Sequence, residues 1–135
     1  MTIIDASVAT AWFADIQTSV PARLLLSRAT LAAPNLLRIE LTNALLKYVR
    51  AGLLPNTLPT KAVGMLEGTI FHWRDDRELL AVATKIAVTQ RHKIYDCLYL
   101  ALALERREPL ATADRRLAAM ARDLSIETEL IEPAL

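Results

Sequence analysis

Apolar and polar positions along this chain form two patterns: brief apolar runs, and longer stretches with apolar residues at helical spacing. The run 2–4 reads as strand one. A short helix over 8–14 and a second over 20–29 follow, and 30–33 reads as strand two, closed by Pro34. The stretch 36–51 reads as a helix ended by Gly52, a residue suited to the position after a C-cap. Pro55 and Pro59 frame a loop, then 61–66 reads as a short helix and the β-rich run 69–72 as strand three. Over 75–90, Leu79, Val82, Ala83 and Ile86 mark one helix face. An unusually apolar helix over 94–107 precedes a short strand at 110–112. Leu117, Met120, Ala121 and Leu124 mark a helix over 114–124, and 128–131 reads as a last strand at an edge. Strands alternating with helices predict an α/β domain: a parallel sheet of about five strands flanked by helices.

Composition narrows the class. At 135 residues the chain, 1–135, is expected to form a single domain with a sizeable core. It is 53% hydrophobic and 23% charged, which implies elements buried on more than one side. No run reaches the roughly 18 apolar residues of a membrane span. The N-terminal segment has no basic start and Asp5 interrupts its apolar run, so no signal peptide is read and a cytoplasmic, non-membrane protein is expected. The lone Cys97 cannot form an internal disulfide and fits a reducing compartment as a small core residue. A net charge of +1 confines any nucleic-acid surface to a local patch. No Gly-rich phosphate loop and no nucleophile elbow occurs, which argues against nucleotide cofactors and hydrolase triads.

Four acids stand in apolar or helix-opening settings: Asp5, Glu40, Asp96 and Asp114. Asp5 directly follows strand one, and Asp114 lies just past Thr112 at the end of its strand. Asp96 is in the first turn of the apolar helix, and Glu40 about one turn into the helix after strand two. In βαβ units these places share the carboxyl edge of the sheet, where open α/β sheets bind ligands. Each acid has an ordinary alternative. Asp5 and Asp114 read equally as helix N-caps, Asp96 as a charge complementing a helix dipole, and Glu40, in a row with Asn43 and Lys47, as part of a solvated face.

Together the four point to a cation. Clustered carboxylates suit Mg²⁺ or Mn²⁺, with Glu40 acting directly or through water. Such an ion supports phosphodiester hydrolysis. Ser7 and Thr112 are hydroxyls placed to orient Asp5 and Asp114, or to make ordinary cap and turn bonds. Arg38, Asn43, Lys47, Arg115 and Arg116 are candidate substrate contacts near that edge. Phosphate contacts of this kind position a nucleic acid without reading its sequence. Arg91, His92 and Lys93 form the densest basic run. His92 lacks a His or Cys at ligand spacing and is not read as a metal ligand, and His72, at the end of strand three, reads as structural. Trp12 and Trp73 suit either the core or a partner surface. Trp12, two helical turns past Asp5, is a candidate to be covered by a partner segment.

The chain resembles PIN-domain proteins, and in particular the VapC-type toxins of bacterial toxin–antitoxin pairs. The matching segments are Ile4-Asp5-Ala6-Ser7-Val8, then Pro34 through Glu40-Leu41-Thr42-Asn43-Ala44-Leu45. They continue with Tyr95-Asp96-Cys97-Leu98-Tyr99-Leu100-Ala101 and Leu110-Ala111-Thr112-Ala113-Asp114-Arg115-Arg116-Leu117. Their order and spacing agree along essentially the whole chain. The resemblance implies a five-stranded parallel sheet, a Mg²⁺/Mn²⁺-dependent endoribonuclease acting on RNA, a homodimer, and inhibition by a VapB-type antitoxin. It matches Asp5, Glu40, Asp96 and Asp114 to the family's acidic quartet. Some relatives carry a further acid after the last one, where this chain has Arg115, Arg116 and Leu117. The competing reading is a non-catalytic RNA- or protein-binding module on the same fold. A DNA flap or single-strand nuclease ranks below both, because the chain lacks helical elements for threading DNA.

Overall fold

The computed structural model describes residues 1–133. Its elements are β1 (Thr2–Ile4), α1 (Ala6–Phe13), α2 (Ser19–Arg28), β2 (Leu31–Pro34), α3 (Leu36–Arg50) and α4 (Leu58–Thr69). Then come β3 (His72–Arg74), α5 (Asp76–Gln90), α6 (Ile94–Arg106), β4 (Leu110–Thr112), α7 (Arg115–Asp123) and β5 (Thr128–Leu130). The five strands form one sheet in the order β3-β2-β1-β4-β5, and every pairing is parallel. The expected α/β architecture is therefore present, with β5 at an edge.

The strands are short, three or four residues each. Ile3, Ile4, Ala32, Ala33, Leu110 and Ala111 are all fully buried, so the central strands show no in–out alternation. Such burial on both faces is the mark of a parallel sheet covered by helices. Helix α6 packs against β1, β2 and β4, and α5 packs along α6. Residues Cys97 to Ala103 of α6 are almost wholly buried. Its first turn is not, since Tyr95 is exposed, so the helix is apolar all round only from Cys97 onward. Helix α3 ends as its Gly52 predicts: Gly52 takes φ +76, its N–H bonds Val49 O at 3.0 Å, and Leu53 N–H bonds Tyr48 O at 2.9 Å. This is the paired-bond motif that closes helices through a left-handed residue.

Two expectations fail in the middle of the chain. Strand three is not 69–72 but His72–Arg74, so His72 opens the strand instead of ending it. Thr69 closes α4, and its hydroxyl donates to Met65 O at 2.8 Å. Ala62, Leu66 and Ile70 lie four residues apart and are all buried, so the helical stripe continues past the β-prone residues. The helix expected at 61–66 is correspondingly longer, Leu58–Thr69. Pro59 lies in its first turn, where a residue without an N–H costs no hydrogen bond.

Candidate functional site at the carboxyl edge

The register of the sheet builds the site. Ile4 pairs with Ala111, so one residue further along both strands Asp5 comes beside Thr112. Strand β1 connects toward β2 on one side and pairs with β4 on the other, which opens a crevice at their carboxyl ends. Asp5 is 6% exposed. Its Oδ1 accepts from Ser7 Oγ at 2.6 Å and weakly from Val8 N at 3.4 Å, and its Oδ2 accepts from Thr112 Oγ1 at 2.8 Å. Ser7 Oγ also accepts from Ala113 N at 2.8 Å, and Thr112 Oγ1 from Asp114 N at 3.0 Å. Both hydroxyls therefore do more than close a turn: they join the two strand ends and fix Asp5. Burial pushes the Asp5 carboxyl up to about 6, the nearby charge of Asp114 adds to this, and the hydrogen bonds oppose it.

Asp114 is the N-cap of α7, its Oδ1 accepting from Arg116 N at 2.8 Å and Leu117 N at 3.1 Å. Asp5 likewise caps α1. Capping and membership of an acidic crevice coexist at both residues, since a carboxylate has two oxygens and one is enough for the cap.

Glu40 and Asp96 form the second pair. Tyr99 is fully buried in α6 and its hydroxyl donates to Glu40 Oε1 at 2.6 Å. Burial raises the Glu40 carboxyl above its ordinary range, the Tyr99 bond lowers it, and the charges of Asp96 and Asp76 raise it again. Tyr99 is itself pushed well above the usual phenol range by burial, then by Glu40, Asp5 and Asp96. Its hydroxyl thus lies in the field of both pairs. His92 Nε2 stands 2.6 Å from Asp96 Oδ2. Asp96, Asp114, Arg91, His92, Lys93 and Arg116 line one hollow of about 420 Å³.

Sequence reasoning missed three of these contributors. Tyr99 stands three residues after Asp96 and His92 four before it, the spacings that share a helix face. Asp76 caps α3 from another element, accepting from Leu36 N at 3.0 Å. It was hidden by the misplaced third strand, whose true carboxyl end it follows.

The other candidate contacts stand in different settings. Arg38 pairs with Glu67, donates to Asn35 Oδ1 at 2.7 Å and lies 3.6 Å over the Trp73 ring, so it is a structural clamp. Arg115 pairs with Glu132 at 3.2 Å. Asn43 lines a hollow with Ile39, Leu46 and Val63. Lys47 lines a groove that also includes Ser7. Trp12 is not at a partner surface: it is 8% exposed and its indole donates to Ala22 O at 2.8 Å, tying α1 to α2. Cys97 is fully buried, as expected.

The PIN domain family model matches residues 2–123, most of the chain. The chain belongs to the PIN domain family. No curated protein matches its sequence. Among solved structures, this PIN domain is similar to PAE2754 from Pyrobaculum aerophilum, with 24% identity, 94% of this chain and 82% of that one covered, and a TM-score of 0.71. It is similar to VapC20 of Mycobacterium tuberculosis, a sarcin–ricin loop cleaving toxin, with 15% identity, 88% and 94% coverage and a TM-score of 0.72. It is also similar to FitAcB from Neisseria gonorrhoeae, with 17% identity, 95% and 96% coverage and a TM-score of 0.51. At these identities the likeness establishes a shared fold. Among the described residues, no helix of the PIN domain is long and apolar enough to cross a membrane.

Whether the residues suit a divalent ion can be judged from the donors. Among the described residues, no three His, Cys, Asp or Glu side chains form a ready cage for a metal ion. Asp5 lies in the field of Asp114 and Glu40 in that of Asp96 and Asp76, while Asp96 and Asp114 line the same hollow. Magnesium keeps several waters and takes one or two carboxylates, so paired hard oxygens fit it without a closed cage.

Proposed function

We propose that this PIN domain is a divalent-metal-dependent endoribonuclease, with Asp5, Glu40, Asp96 and Asp114 as its catalytic acids, and the VapC-type toxin of a pair restrained by a VapB-type antitoxin. The observation that carries this reading is the buried Asp5 carboxylate. It is fixed by Ser7 and Thr112 at the β1–β4 crevice and raised by burial and Asp114. A buried carboxylate of raised pKa, fixed at a strand end in a crevice, is the mark of a functional-site candidate. A bound Mg²⁺ or Mn²⁺ would supply charge neutralisation at the phosphate and a more acidic attacking water.

The chain's own residues supply the rest. Ser7 and Thr112 hold Asp5 in one orientation, Tyr99 holds Glu40, and His92 holds Asp96. Arg91, Lys93 and Arg116, in the hollow with Asp96 and Asp114, bring cationic charge to the RNA backbone. The likeness to VapC20 and the matching motifs support an RNA substrate. A homodimer in the cytoplasm is part of the same proposal.

The alternative reading is a non-catalytic binding module on the same fold, which would hold RNA or a protein without cutting. Incubation of purified total RNA with Mg²⁺, Mn²⁺ or EDTA separates the two, with Asp96→Asn prepared identically. The nuclease reading expects discrete fragments that vanish with EDTA and in the variant. No cleavage by wild type, with RNA still retained, would favour the binding module.

A further inference from the structure

Beside the carboxylates lies a groove of about 450 Å³ that the acids do not explain. Its walls include Ser7 and Thr10 of α1, Ile16 of the following turn, Lys47 and Tyr48 of α3, and Ala113. Two of its wall residues neighbour the acids. Ser7 contacts Asp5, and Ala113 is followed directly by Asp114, which lines the hollow.

Thr10 is the telling residue. Past the first turn of a helix, Thr42, Thr69, Thr84 and Thr89 each donate to the carbonyl four residues back. Thr10 is 7% exposed, its hydroxyl makes none of the hydrogen bonds found among the described residues, and that oxygen is open to the groove rather than sealed in the core. Its side chain lines the groove instead, as a free donor and acceptor in a largely apolar wall. Tyr48 adds an aromatic ring, and Lys47 an exposed ammonium without an ion pair among the described residues. A concave, mainly apolar site with a few convergent polar groups is the usual form of a small-ligand pocket.

We propose that this groove is a nucleobase subsite. It takes the base of a nucleotide next to the phosphate held over the carboxylates. Tyr48 provides the stacking face, Thr10 a hydrogen bond to the base edge, and Lys47 a charge contact to the adjoining phosphate. The cationic groups on both sides, Lys47 here and Lys93 and Arg116 in the hollow, favour a nucleic-acid strand as the occupant. The subsite rests on the ribonuclease reading above and adds to it where a base is gripped.

The test is fluorescence anisotropy of a labelled single-stranded RNA of about ten nucleotides, with Ca²⁺ as the hard-oxygen ion. An abasic nucleotide is placed at each position in turn. The expected result is one position whose base removal weakens wild-type binding by about tenfold. Tyr48→Leu should weaken binding of intact RNA similarly, and there the abasic nucleotide at that position should cost nothing more. Thr10→Val, close in shape to the native residue, should give a smaller loss at the same position and serves if Tyr48→Leu does not fold. Abasic losses that persist in full in both variants would overturn the subsite and leave the groove to a protein segment. RNA that fails to bind wild type at all would overturn the ribonuclease reading and the subsite with it.

Discussion

Thr112 Oγ1 donates a 2.8 Å hydrogen bond to Asp5 Oδ2 and joins the carboxyl ends of two adjacent strands through a buried carboxylate. Both residues are nearly inaccessible, so neither group can turn to water if the other is removed. A buried acceptor that loses its donor costs about 1–3 kcal/mol. Thr112→Val is therefore expected to lower stability by about that amount. It should also weaken Mn²⁺ binding by about 10–100-fold, as loss of an orienting partner does. Chemical denaturation and calorimetric titration measure the two effects.

The raised carboxyl of Asp5 has a defined pH signature. Its folded pKa of about 6 lies above the ordinary 3.8, so between these values the native state binds more protons than the unfolded chain. Stability from this group is full below about 3.8 and is lost as pH rises through about 6. The upper bound on the loss is about 3 kcal/mol, at 1.36 kcal/mol per unit. The ion-free wild type should therefore lose stability relative to Asp5→Asn on going from pH 4 to pH 7. Urea denaturation across that range measures the difference, and parallel pH curves would show that Asp5 is not the group responsible.

Tyr99→Phe removes the hydroxyl that donates to Glu40 and leaves the ring in place. The expected cost is about 1 kcal/mol. It should grow as pH rises and Glu40 loses its proton, and fade in acid as that group takes a proton. Thermal melting of the ion-free protein at two pH values reads this out.

Two arginines that look alike in sequence should behave oppositely. Arg38 is held by Glu67 and stacked on Trp73, whereas Arg116 lines the hollow with Asp96 and Asp114. Arg38→Lys loses the planar fork and the stacking, so it should lower the melting temperature and leave the salt dependence of RNA binding unchanged. Arg116→Gln should barely alter melting and should reduce the slope of log affinity against log salt by about 0.7. Binding titrations at several salt concentrations separate the two.

Much of this architecture is legible along the chain because its signals are local. Strands β1 and β4 are short, mainly apolar runs leading into Asp5 and Asp114, and their observed limits are those the pattern predicts. The third strand is not legible, because Thr69, Ile70 and Phe71 have strand propensity while Ile70 extends the buried stripe of α4. Tertiary burial outweighs propensity there. The positions of Asp5 and Asp114 at one crevice follow from topology alone. The roles of Tyr99, His92 and Asp76 do not, since each depends on which face of one element meets another. Arg38 shows the converse: its charge suggests a substrate contact, and only the positions of Glu67 and Trp73 reveal a clamp.

The proposed divalent-ion site requires the acids at the carboxyl edge to act together. Mn²⁺ titration followed by melting temperature tests it on wild type, Asp5→Asn, Glu40→Gln, Asp96→Asn and Asp114→Asn. Mn²⁺ is expected to raise the melting temperature of wild type, Asp5→Asn and Asp96→Asn to abolish the gain, and the other two to reduce it. No gain in wild type, or an equal gain in wild type and Asp96→Asn, would contradict it.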